Sequence, residues 1–134
     1  MKYFAPFLFL LNIILWSCQS NFDHRLQEEA KAYTANNCPQ QVEEGTMLDS
    51  VSYDIKSRTY TLHYSVNTQN EQALQQKGTM LHQLLLNELR NDVNYKEVKD
   101  NNVTFNYVYR SANTGLIVYQ TNIPATEYNV VHKE

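Results

Sequence analysis

The run Thr46-Met47-Leu48-Asp49-Ser50-Val51-Ser52-Tyr53-Asp54-Ile55-Lys56-Ser57-Arg58-Thr59-Tyr60-Thr61-Leu62-His63-Tyr64-Ser65-Val66 alternates in two passes around Lys56-Ser57-Arg58. In the first pass Met47, Val51, Tyr53 and Ile55 share one parity, and Ser50, Ser52 and Asp54 share the other. On the return Tyr60, Leu62, Tyr64 and Val66 alternate with Thr59, Thr61, His63 and Ser65. Successive side chains of a strand point to opposite faces, so a period of two predicts a β-hairpin with one buried and one wet face.

On the N-terminal side the period changes. Phe22, Leu26, Ala30 and Tyr33 recur at helical spacing, which predicts an amphipathic helix over Ser20 to Ala35, opened by Ser20 and Asp23 and stopped by Pro39. Residues 36–45 form a polar connector ending at Gly45. On the C-terminal side the helical period returns over Asn70 to Asn91, where Ala73, Leu74, Met80, Leu81, Leu84, Leu85 and Leu89 make a broad apolar stripe. Gly78 in its middle is expected to kink or fray the helix. After a second polar connector, 92–102, Val103, Phe105, Tyr107 and Tyr109 alternate with Thr104, Asn106, Val108 and Arg110. Asn113-Thr114-Gly115 turns the chain into a last strand, Leu116 to Thr121, and Ala125 to Glu134 is expected to trail off.

This order predicts an α+β domain of the form α-ββ-α-ββ, with a four-stranded antiparallel sheet and both helices on one face. The ordered part is expected to run over about residues 20–123. A cystatin-like single long helix on a curled sheet is the alternative.

The amino terminus carries an address. One basic residue, Lys2, precedes an apolar run from Tyr3 to Trp16, interrupted by Pro6 and Asn12. That run is about fourteen residues, short of the roughly twenty needed to span a bilayer, and it has the layout of a secretory signal. It ends Leu15-Trp16-Ser17-Cys18, which resembles the lipobox of bacterial lipoproteins, with Trp16 departing from that pattern. The resemblance implies that residues 1–17 are a signal peptide, that the Cys18 sulfur takes a diacylglycerol as a thioether, and that 18–134 form one envelope domain. Two or three acyl chains anchor stably where one is marginal. Gln19, rather than an aspartate, implies the outer membrane if the enterobacterial sorting rule applies. The segments Asn37-Cys38-Pro39, Gly45 to Val51 and Tyr107-Val108-Tyr109 are also similar to small lipoproteins of gut Bacteroidetes, a group that brings a location and a fold but no reaction.

Composition narrows the function further. The chain has 134 residues with three glycines and a net charge of -3, which leaves nothing for a nucleotide-binding loop in a doubly wound fold and no electrostatic footprint for nucleic acid. A lipidated Cys18 leaves Cys38 without an intramolecular partner, and Cys38, with no histidine near it in sequence, is read as a buried small hydrophobe rather than a nucleophile. His24 and Glu28 share a helix face at metal-ligand spacing but lack a second pair. Asp92-x-Asn94-x-Lys96 lacks the glycine and the closing carboxylate of a calcium loop. No cofactor or metal is called for, and no convergent acid, base and nucleophile mark an enzyme. Asp49-Ser50-Val51 resembles the sites that Bacteroidetes glycosylate, with an ordinary strand segment as the simpler reading.

Ten tyrosines remain, most of them on the core parity of the predicted strands. The opposite face would expose His63, Asn106 and Arg110, the candidate binding residues. The expected function is therefore a non-enzymatic, lipid-anchored binding module with a protein partner in the envelope. The alternative is an inhibitor or immunity protein that blocks an envelope enzyme or toxin.

Overall fold

The computed structural model describes the backbone of residues 5–129 and the side chains of residues 21–129. Cys18 and the expected signal peptide, residues 1–17, therefore lie outside the residues whose side chains are described, as do Val130 to Glu134. The chain runs α1 (Ala5–Asn37), β1 (Gln40–Glu43), β2 (Thr46–Asp54), β3 (Thr59–Val66), α2 (Thr68–Asn91), a 3-10 turn at Val93–Tyr95, α3 (Lys96–Asp100), β4 (Thr104–Ser111), β5 (Ile117–Ile123) and α4 (Ala125–Tyr128). Among the described residues no helix is long and apolar enough to cross a membrane.

The α+β class stands, with two corrections to the sheet. It has five strands in the order β1-β2-β3-β4-β5, and β3 pairs with β4 in parallel. A chain that leaves β3 and returns beside it must travel the length of the strand, and the 24 residues of α2 cover about 36 Å. The return through the 3-10 turn and α3 then starts β4 at the same end as β3, with Thr59 opposite Thr104 and Val66 opposite Ser111. The extra strand, β1, is exposed at all four residues and carries no alternation for a sequence reading to find.

β2 also departs from simple alternation. Its register shifts between Leu48 and Ser50, so the buried residues are Thr46 and Leu48 before the bulge and Val51 and Tyr53 after it. Leu48 thus replaces Met47 in the core. β1 pairs with β2 only as far as Leu48, and α1 covers the outer edge beyond it. The Thr34 hydroxyl both accepts from the Val51 N–H and donates to its carbonyl at 2.9 Å, and Gln27 donates to the Tyr53 carbonyl. Phe22, Leu26 and Ala30 face the core as expected, whereas Tyr33 is exposed because the next inward position belongs to Thr34.

The core is aromatic and lies under the helices. Phe105 and Ile123 are fully buried, and Phe105 meets Tyr60, Tyr95 and Tyr128 at ring separations between 5.4 and 5.9 Å. The chain does not trail off after β5. The Tyr128 hydroxyl, brought inward by α4, donates to the Val103 carbonyl at 2.6 Å. From α2 the core takes Leu85, Leu86 and Leu89.

Candidate functional site

The apolar stripe of α2 is wider than the surface the core can cover. Leu74 and Leu81 pack against the core, but Met80 is 70% and Leu84 54% exposed. Between them and the sheet lies a groove of about 300 Å³, floored by Val66 and Tyr109 and walled by Leu74, Leu81 and Leu84. A second hollow of about 210 Å³ continues from it, sharing Glu43, Thr46, Leu81, Leu84 and Tyr109 and adding Val42, Tyr64 and Glu88.

Local chemistry shapes this groove. Lys77 leaves helical geometry (φ −121°, ψ 22°), which bends α2 next to Gly78, as the sequence suggested. The Tyr119 hydroxyl donates to the Gly78 carbonyl at 2.8 Å, and a Cβ on Gly78 would sit 3.1 Å from the Tyr119 ring. The N-terminal half of α2 is fastened to the β1–β2 turn. The Asn67 side chain caps the helix by accepting from the Asn70 N–H, and the Asn70 amide donates to the Glu44 carbonyl and the Thr46 hydroxyl. Gly45 occupies the left-handed region (φ +81°), where a Cβ would collide with the Asn67 side chain.

The second hollow has its own character. Tyr64 and Tyr109 stack at 4.6 Å with an interplanar angle of 11°. Glu43, which accepts from the Thr46 hydroxyl, and Glu88 stand beside them. Burial pushes the Tyr109 phenol up, and the Glu43 and Glu88 charges push it further. Among the described residues neither glutamate has a basic partner.

The sequence-predicted open face exists on the opposite side of the sheet. His63 and Arg110 meet there: the Arg110 guanidinium donates to His63 Nδ1 at 3.2 Å, and His63 Nε2 lies 3.4 Å from the Ser52 hydroxyl. Burial and the Arg110 charge hold the His63 imidazole below its usual range. Asn106 lies apart from this pair and accepts from Gln120. Val108, on the same face, is buried beneath these side chains.

The sequence profile of the domain of unknown function DUF8479 matches residues 21–119. The chain belongs to that family. No curated protein matches the sequence. Three solved structures share the DUF8479 fold seen here. A Pseudomonas aeruginosa protein described as secreted aligns with a TM-score of 0.72 at 13% identity, over 82% of this chain and 95% of that one. The type 2 secretion system pilotin of Vibrio vulnificus gives 0.65 at 12% identity, over 82% and 94%. The type II pilotin of Vibrio cholerae gives 0.57 at 13% identity, over 84% and 97%. At such identities the likeness is one of fold.

The DUF8479 groove is what sequence reasoning missed. In sequence, Tyr64 and Tyr109 share the core parity, Leu81 and Leu84 belong to the apolar stripe of α2, and Glu43 falls in the polar connector 36–45. The available signal was the excess width of the α2 stripe. The other described histidines and the free cysteine are structural or superficial. His82 bridges Thr121 and Glu127 and ties α2 to β5 and α4, Cys38 packs against the core as a free thiol raised by burial, and His24 and Glu28 are exposed.

Proposed function

We propose that this DUF8479 chain is a non-enzymatic binding module of the cell envelope, tethered through a lipid on Cys18, that holds a segment of a partner protein in the groove between α2 and the sheet. The observation that carries this reading is the exposure of Met80 and Leu84 at the mouth of an apolar groove of about 300 Å³. A soluble domain rarely leaves such side chains together in water without a use for them. Two solved proteins of this fold are secretion-system pilotins and a third is described as secreted, which favours an envelope role over a reaction. The groove supplants the open face as the preferred contact surface, because His63, Arg110, Asn106 and Asp49 already satisfy one another or their neighbours there.

Asp23, five residues after the proposed tether, and the groove lie at opposite ends of the domain. Asp23 of α1 meets Tyr53 and Arg58 at one end of the hairpin, and the groove begins at Thr46 and Val66 at the other. A lipid before residue 21 would thus leave the groove facing away from the bilayer by about the length of β2, on the order of 25 Å.

The test compares the intact mass and membrane partitioning of the full chain with those of Cys18→Ala, and crosslinks membranes carrying wild type or Leu84→Asp. A lipid mass lost in Cys18→Ala, with a crosslinked partner lost in Leu84→Asp, is expected. An unlipidated Cys18, or a partner retained by Leu84→Asp, overturns the corresponding half of the reading.

A further inference from the structure

We infer that the hollow formed by Tyr64, Tyr109, Glu43 and Glu88 is a subsite for a cationic side chain, so that the segment bound in the groove is apolar with one lysine or arginine. This rests on the groove reading above and specifies its occupant.

Three observations carry it. The hollow, about 210 Å³, has room for a single long side chain and opens directly into the apolar groove. Its walls combine a stacked tyrosine pair with two carboxylates, the surroundings in which a cation gains from both ring electrons and negative charge. Neither Glu43 nor Glu88 is neutralised among the described residues, although Arg25, Lys31, Arg58 and Lys96 elsewhere on the domain are all paired with acids. Lys77 lines the larger groove and not this hollow. The raised phenol of Tyr109 agrees, since the same two carboxylates that oppose its ionisation would favour a cation beside it.

Asp23 and Asn129, near the two ends of the described domain, lie at the far end of the strands from the site. Asn129 bonds to Asn102 at the start of β4, and Tyr109 lies about 20 Å further along that strand. Asp23 of α1 meets Tyr53 at the far end of the hairpin from the groove. A phospholipid would bring its phosphate towards two carboxylates.

The experiment pans a random peptide display library on the full chain held in phosphatidylcholine nanodiscs, then measures an enriched peptide by fluorescence anisotropy. Enriched sequences are expected to place Lys or Arg beside apolar residues. Affinity should fall about tenfold in Glu43→Gln/Glu88→Gln, and binding should be lost in Leu84→Asp. Peptides that need Leu84 but show no cationic preference, with the double variant within twofold of wild type, overturn the subsite and leave the groove reading standing. If no recovered peptide depends on Leu84, or if native mass spectrometry finds a lipid or a second copy of the chain in the groove, both fall.

Discussion

The Tyr53 hydroxyl in β2 donates to the Asp23 carboxylate in α1 at 2.7 Å, and both side chains are buried. Arg58, at the β2–β3 turn, reaches the same carboxylate at 3.4 Å and donates to the Asn101 carbonyl at 2.9 Å. One acidic group therefore fastens the helix, the hairpin and the segment entering β4. Removing it leaves a hydroxyl and a half-buried guanidinium without their partner, which costs more than removing the hydroxyl alone. Asp23→Ala should lower unfolding stability by about 2–3 kcal/mol and Tyr53→Phe by about 1 kcal/mol, read by urea titration.

Alkaline pH should unfold the domain steeply. Burial raises the phenols of Tyr53, Tyr95 and Tyr128 from 10.0 to about 12, and those of Tyr60, Tyr64, Tyr107 and Tyr109 higher still. In the unfolded chain they ionise near pH 10, so the folded state binds more protons above that pH. Their contribution is whole below pH 10 and is lost as pH rises through the folded values. Ionisation of these seven phenols, read by tyrosinate absorbance in a Tyr33→Phe/Tyr119→Phe background, and loss of sheet circular dichroism should appear together above about pH 10. Ionisation of any of the seven in a still-folded domain would contradict the burial of its ring.

The strands that alternate were legible in the sequence because one face meets the core and the other meets water. Tyr60, Leu62 and Val66, and Phe105, Tyr107 and Tyr109, are buried as expected. The parallel pairing was not legible, because side-chain parity carries no information on strand direction; only the length of α2 and its return turn did. β1 was hidden by exposure on both faces, and the β2 bulge by a swap of Met47 for Leu48, two residues a hydropathy pattern treats alike. The groove was hidden for the opposite reason. Apolar side chains that wait for a partner read in sequence as core.

Gly45 and Gly115 share a left-handed backbone but not a neighbourhood. At Gly45 (φ +81°) a Cβ would strike the Asn67 side chain that caps α2, whereas at Gly115 (φ +74°) nothing lies within 4 Å. Gly115→Ala should cost about 1 kcal/mol from backbone strain alone. Gly45→Ala should cost more than about 2 kcal/mol, since the cap and its Asn70 partner must also move. Thermal unfolding of the two variants side by side measures the difference.

His63 should titrate below the ordinary histidine range of 6.5, because burial disfavours its charged form and Arg110 repels it, with Asp49 opposing both. A depressed value means that the pair stabilises the fold above the unfolded histidine pKa and that this contribution is lost as pH falls through the folded one. Ring-proton resonances of His63 should show a midpoint under 6.5 that moves up in Arg110→Gln. A midpoint unmoved by that change would mean that burial alone sets it.

The two edges of α2's stripe should respond differently to substitution, and this separates folding from binding. Leu85 and Leu89, at 5% and 2% exposure, are packed in the core, so Leu→Ala at either should cost about 2–5 kcal/mol. Met80 and Leu84 contribute little to the core, and Met80→Gln/Leu84→Gln should change stability by no more than about 1 kcal/mol. The same double change should remove most of the fluorescence of an apolar dye such as ANS bound to the native protein, because it places amides at the groove mouth. If stability falls with dye binding, Met80 and Leu84 are structural after all, and the groove is a packing defect rather than a seat for a partner.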